Sequence, residues 1–133
     1  MKSKNLKTAA QLLVVCLIAF AACKKEKSDY FKITVDSISA PATGRCVPDS
    51  IPIRLHGYIG PNKCHIFEDA IFIPGSQNDI IINAYGKKVE GTCVSEESFL
   101  DDIVYIFISN PGIYTFYDYN KPDIELGKIE VIK

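Results

Sequence analysis

The stretch HIFEDAIFIPGSQNDIIINAY, residues 65–85, decides the fold class of this 133-residue chain. His65–Ile73 and Asp79–Tyr85 are rich in Ile, Phe and Tyr, and residues 74–78, PGSQN, have the composition of a turn. The stretch therefore predicts a hairpin of two strands. The same composition continues outward, because residues 23–133 contain 18 Ile and 13 Phe or Tyr but three Leu. Branched and aromatic residues favour strands, and no stretch carries an apolar stripe of helical period.

Alternating apolar and polar side chains, together with one buried-looking apolar run at Ile103–Ile108, predict five further strands around the hairpin. Alternation places Arg54 and His56 on the outer face of their strand. They cover Phe31–Asp36, Ile51–Ile59, Ile103–Ile108, Ile113–Tyr119 and Ile124–Ile132. Pro52 has no N–H to donate, so its end of the strand is expected at the strand start or on a sheet edge. The apolar parity changes within the last strand, which predicts a bulge at Gly127. These seven strands predict one all-β domain over residues 30–133, an antiparallel sandwich of two packed sheets.

The N-terminal residues differ in character from the rest of the chain. The first seven residues carry three lysines and precede 15 uncharged residues, Thr8–Ala22. As a helix these residues would span about 22 Å, less than the ~30 Å hydrocarbon core of a bilayer. This pattern predicts an export signal peptide over residues 1–22. Residues 23–133 then contain 12 basic and 16 acidic side chains, a net charge of −4 that disfavours nucleic-acid binding.

The cleavage region carries a resemblance. Phe20-Ala21-Ala22-Cys23 resembles a bacterial lipobox, in which small residues precede a cysteine that is lipidated and becomes the new N-terminus. This resemblance implies that Cys23 carries acyl chains. Each CH₂ group of these chains that is buried in the bilayer contributes about 0.8 kcal/mol to anchoring. Residues 23–29 are similar to the polar tether of Bacteroidetes-type lipoproteins. The resemblance implies attachment to the membrane through this lipid, in the bacterial cell envelope at the outer membrane, on either its periplasmic or its surface face.

A second resemblance lies near the C-terminus. Residues 110–116, NPGIYTF, resemble the tyrosine corner of immunoglobulin-like sandwiches, with Tyr114 as the corner residue. The resemblance implies that the Tyr114 O–H bonds back to the backbone upstream. Phe116 stands where antibody domains have a cysteine, and the chain has no Trp, so an antibody-type domain is not expected. The mature chain is similar to small Bacteroidetes lipoproteins with one immunoglobulin-like domain and no assigned activity.

Three cysteines remain after lipidation: Cys46, Cys64 and Cys93. Export to an oxidising compartment predicts one disulfide. Cys64 opens one strand of the hairpin and the other strand returns to the same end, so a loop over residues 86–95 would bring Cys93 to Cys64. If residues 87–94 formed a strand instead, Cys93 would lie roughly 20 Å away. The glycines and charges of this segment favour the loop, and we therefore predict a Cys64–Cys93 bond and a free Cys46.

Two groups of residues are candidate binding sites. The carboxylates of Glu96, Glu97, Asp101 and Asp102 flank Ser98-Phe99-Leu100 and are a possible calcium or small-ligand site, although a solvated connection with Phe99 or Leu100 in the core is the simpler interpretation. The other group is Tyr117 and Tyr119, whose side chains point outward if Tyr114 points inward. Exposed aromatic rings bind sugars or protein partners, and the alternative is cross-strand pairing that covers the sheet face.

No pattern for catalysis is present in the sequence. It lacks a nucleophile elbow, a metalloprotease helix motif and a phosphate-binding glycine loop. The spacing of His56, Cys64, His65 and Cys93 matches no zinc site. We therefore expect a non-enzymatic binding or assembly module without a cofactor or a metal. Its expected partners are the membrane, through the lipid, and an envelope protein or glycan.

Overall fold

The computed structural model describes residues 29–133, so the predicted signal peptide and the predicted lipidation site, Cys23, lie outside the described residues. The described part of the chain is all-β and forms eight strands without a helix. The strands are β1 (Asp29–Ser39), β2 (Thr43–Arg45), β3 (Ile51–Gly60), β4 (His65–Pro74), β5 (Asp79–Lys88), β6 (Ser98–Ile106), β7 (Gly112–Asp118) and β8 (Lys121–Ile132). Within residues 29–133 there is consequently no helix that could cross a membrane.

The strands form one mixed sheet that curls into a half-barrel. Their order is β2-β8-β7-β5-β1-β3-β6, and β4 pairs with β5 outside this path. β1 connects the two halves of the sheet, because residues 29–33 pair with β5 and residues 34–39 pair with β3. The β2–β8 and β5–β7 pairs are parallel, and the other pairs are antiparallel.

The prediction of a wholly antiparallel, seven-stranded arrangement is therefore wrong at two pairs and misses β2. Alternation indicates which face a side chain occupies but not which strand lies beside it, so the parallel neighbours were not predictable from it. The start of β6 is also corrected from Ile103 to Ser98. Residues 98–102 pair with β3 rather than forming a connection. Leu100 is buried in the core, as was expected of Phe99 or Leu100.

The core is built from the inward-facing rows of six strands and from Ile108, which lies two residues after β6. It contains Ile33, Val35, Ile51, Ile53, Leu55, Ile59, Ile80, Ile82, Ala84, Leu100, Ile106, Ile108, Phe116, Ile129 and Val131. Full burial of one such side chain contributes roughly 1.5–3 kcal/mol. The alternation read in the sequence for β1 and β3 is confirmed by this set, and both halves of the sheet share the one core.

Three local predictions are confirmed. The turn between β4 and β5 is closed by the Gly75 N–H, which donates to the Asp79 carbonyl at 2.8 Å. Pro52 is the second residue of β3, before the pairing of β3 with β1 begins at Arg54. The β7–β8 register shifts beside Gly127, where the bulge was expected.

Asp118, the last residue of β7, fixes the point where β1 changes partners. Its side chain is fully buried. Oδ1 accepts the Val35 N–H at 2.9 Å and Oδ2 accepts the Asn120 N–H at 2.8 Å. The Asn120 side-chain amide in turn donates to the Ile33 carbonyl at 3.3 Å. This carboxylate therefore ties the β7–β8 turn to the middle of β1.

Candidate functional site

The predicted disulfide is confirmed. Cys64 and Cys93 are bonded, with 5.4 Å between their Cα atoms, and Cys46 is a half-buried free thiol. The bond joins the start of β4 to the loop after β5. Lys63 strengthens this end of the domain, because its N–H donates to the Val94 carbonyl at 3.1 Å and its ammonium donates to the Glu97 carbonyl at 3.0 Å. The beginnings of β4 and β6 are thus held together.

The four carboxylates of residues 96–102 do not converge. Glu96 pairs with Lys63 at 3.7 Å, and Asp101 Oδ1 accepts a hydrogen bond from Arg54 at 2.9 Å. Asp101 and Asp102 are consecutive residues of a strand, so their side chains leave opposite faces of the sheet. Among residues 29–133, no three His, Cys, Asp or Glu side chains are grouped so that they could hold a metal ion.

The tyrosines of the C-terminal hairpin lie on both faces of the sheet. Tyr114 points inward against the core, and its O–H donates to the Asn110 carbonyl at 2.9 Å, as the tyrosine-corner resemblance implied. Tyr119 is exposed, and the Lys32 ammonium lies 3.7 Å from the centroid of its ring. Tyr117 is half-buried and pairs with Ile81 of β5. The contact of Lys32 with the Tyr119 ring and the half-burial of Tyr117 agree with the cross-strand interpretation.

A larger exposed surface lies on the outer side of β3 and β6, and the sequence analysis missed it. We call it the β3–β6 face, and its residues are Pro52, Arg54, His56, Tyr58, Phe99, Asp101, Ile103 and Tyr105. They form four directly opposed pairs across the two strands: Pro52 with Tyr105, Arg54 with Ile103, His56 with Asp101, and Tyr58 with Phe99. Rings lie at both ends of the face. The Tyr58 and Phe99 rings meet edge to face with their centroids 5.8 Å apart, and Phe99 and Tyr105 are 61% and 60% exposed.

The middle of the β3–β6 face is polar. Asp101 Oδ1 lies 2.9 Å from an Arg54 guanidinium nitrogen and 3.4 Å from His56 Nδ1, and Ser39 Oγ lies 3.3 Å from His56 Nε2. An exposed ion pair of this kind contributes only about 0–1 kcal/mol to stability. Arg54, His56 and Asp101 can therefore rearrange around a bound partner at little cost in free energy. Alternation in residues 51–59 already placed the β3 half of the face outward, but its β6 half was read as a loop and a buried run.

An open cleft of about 340 Å³ lies beside the face, between the ends of β4 and β6. Its apolar lining consists of Phe72, Pro74, Ile80, Ile106, Phe107, Ile108 and Tyr114. Its polar rim consists of Asn78, Asp79, Ser109 and Asn110, together with Gly75. The cleft reaches the edge of the core, because Ile80, Ile106 and Ile108 belong to both.

Comparison of the chain with protein-family models, with curated proteins and with solved structures found no match. The functional conclusion therefore comes from the chemistry of the surfaces themselves. The β3–β6 face combines exposed rings, aliphatic side chains and a central polar group over adjacent residues of two paired strands.

Proposed function

We propose that this chain is a lipid-anchored, non-enzymatic module of the bacterial cell envelope that binds a protein partner through the β3–β6 face. The observation that carries the proposal is the arrangement of exposed rings at both ends of this face around a polar centre. Contiguous exposed apolar surface marks interaction sites on soluble domains. Aromatic residues and Arg are also the residue types most enriched at the centres of protein interfaces.

The anchor would hold this face close to the membrane. β1 begins at Asp29, six residues after Cys23, and six extended residues span at most about 20 Å. Two or more acyl chains give lasting attachment, whereas one chain binds only reversibly. Replacement of Cys23 by Ser tests the anchor, because we expect the variant to be released from the membrane fraction. Retention of the Cys23→Ser protein in membranes would show that lipidation is not the anchor.

The domain is proposed to be a variant of the immunoglobulin-like fold. In that fold the first, second and fifth strands are neighbours in one sheet. If the short β2 is not counted, the first, second and fifth strands of this chain are β1, β3 and β6, and they are neighbours too. The last two strands are neighbours in the other sheet, as β7 and β8 are, and Tyr114 makes its corner bond where the chain passes from β6 to β7. The variant departs from the family where β5 lies parallel to β7.

The binding proposal is tested by photo-crosslinking in intact cells of the producing bacterium. Benzoylphenylalanine is introduced in place of Tyr105 on the β3–β6 face, or in place of Ile113 on β7 as a control of similar exposure. We expect a discrete product from position 105 that protease degrades and that Arg54→Ala weakens. A product of equal yield from position 113, or a product at 105 that contains only glycan, would overturn the proposal of a protein-binding face.

A further inference from the structure

We propose that the opening between β4 and β6 accepts an extended, basic segment of the protein partner as an added strand along the edge of β6. This inference rests on the proposed function, since it names the form in which the partner binds. Strand addition to an exposed sheet edge supplies affinity through backbone hydrogen bonds and specificity through alternate side chains. Four observations support it: the unpaired edges, their shared charge, the apolar cleft between them and the apolar side chains outside it.

The two edges face each other without pairing. Among residues 29–133, β4 pairs with β5 alone and β6 pairs with β3 alone, although the curl of the sheet brings their Cα atoms within 8 Å at the closest points. The intervening antiparallel pairs make β4 and β6 run in the same direction. The Cys64–Cys93 bond and Lys63 hold the strands together at their starts. The gap is open at the other end, where Phe72 and Ile106 line the cleft.

The charge of the edges explains why they do not close and indicates the charge of the occupant. β4 carries Glu68 and Asp69, β6 carries Asp101 and Asp102, and neither strand contains Lys or Arg. Carboxylates on both sides of the gap oppose direct pairing of the two strands. Glu68 is paired with Lys87 and Asp101 with Arg54, whereas Asp69 and Asp102 make no ion pair with the described residues. These two exposed carboxylates are therefore available to Lys or Arg of the incoming segment.

The apolar surface is arranged on both sides of the place that an added strand would occupy. On the inner side, the cleft presents Phe72 and Ile106. On the outer side, the edge strands present Ile71, Ile103 and Tyr105, which are 50%, 44% and 60% exposed. Successive side chains of a strand point to opposite faces, so one added strand would cover both sets. Natural sheets rarely leave long apolar edges uncovered, because such edges recruit further strands.

The test uses the full chain, purified in detergent with its disulfide intact, and synthetic ten-residue peptides. The probe peptide has two basic residues followed by alternating Val or Ile and Thr. An acidic version carries two Glu in place of the basic residues, and an N-methylated version cannot form the backbone bonds of a strand. Binding is measured by fluorescence anisotropy, and the bound segment is located by amide hydrogen exchange. We expect saturable binding of the basic peptide, no binding of the N-methylated peptide, and slowed exchange in β6.

The charge prediction is tested with the double variant Asp69→Lys/Asp102→Lys. We expect it to bind the basic peptide at least about tenfold more weakly and the acidic peptide more tightly than the unmodified chain does. Glu130→Lys, a change of the same kind on the exposed side of β8, should leave both affinities unchanged. Lack of saturable binding, or equal binding of the N-methylated peptide, would overturn strand addition. If the Tyr105 cross-link is nevertheless obtained, the proposed function stands and only the strand-addition inference fails.

Discussion

The buried carboxylate of Asp118 offers the sharpest test of how this sheet is held together. Asp118→Ala removes the acceptor for the Val35 N–H. Val35 is itself fully buried. A hydrogen bond to a charged group contributes about 1.5–3 kcal/mol, and a buried donor without a partner carries its full desolvation cost. The Asn120 N–H also loses its acceptor, but it lies in a turn that water reaches. We therefore expect the free energy of unfolding to fall by about 3 kcal/mol.

The assay is urea unfolding of the oxidised full chain, followed by far-ultraviolet circular dichroism. For a domain of this size the change corresponds to a fall in Tm of about 12–24 °C. Asp118→Asn keeps one carbonyl oxygen and should cost about half as much, with the same denaturant dependence. Asp123→Ala, in the exposed start of β8, should stay within about 0.5 kcal/mol. If Asp118→Ala is as stable as Asp123→Ala, the proposed role of the carboxylate in fixing β1 is wrong.

Three further predictions concern the disulfide, the acidic segment and the tyrosine corner. Thiol titration of the Cys16→Ser/Cys23→Ser variant should find one free thiol, Cys46, and reduction of Cys64–Cys93 should lower the free energy of unfolding by about 3–4 kcal/mol because the bond closes a long loop; two or more free thiols before reduction would contradict the pairing. Millimolar calcium should leave the Tm of the EDTA-treated protein unchanged, since the carboxylates of residues 96–102 do not converge; a saturable rise in Tm would show a site that the geometry does not provide. Tyr114→Phe should cost about 1 kcal/mol in a urea titration, because it removes the O–H donor to Asn110; an unchanged midpoint would show that water replaces this bond without loss.

The local features of the fold follow from short stretches of sequence. The 65–85 hairpin has strong strand composition around an unambiguous turn, and its geometry, together with the glycines and charges of residues 86–95, places Cys93 near Cys64. Tyr114 sits in a motif whose hydrogen bond spans four residues. Such features depend on neighbours in the chain, and they were predicted correctly. The parallel pairing of β7 with β5 was not predicted, because it depends on how the whole sheet curls.

The site was predicted less completely than the fold for a related reason. Arg54 and His56 were correctly assigned to the outer face of β3. The binding face also includes residues of the neighbouring strand β6, and this pairing was not predicted. Asp101 and Asp102 made residues 96–102 resemble a solvated connection with Phe99 or Leu100 in the core. Leu100 is indeed buried, but it belongs to a strand, which places Phe99 on the outer face. Edge strands tolerate acidic residues that central strands exclude. The composition of a segment therefore does not distinguish an acidic edge strand from a loop.

The most direct measurement of the central claim is the yield of protein cross-links from probes at Tyr105 and at Ile113 in intact cells. The two positions are similarly exposed and differ in the surface to which they belong. We expect the product from position 105 to exceed that from position 113 several-fold, and to fall when Arg54 is replaced by Ala. Equal yields from the two positions, unaffected by Arg54→Ala, would contradict the assignment of the β3–β6 face as the binding surface of this protein.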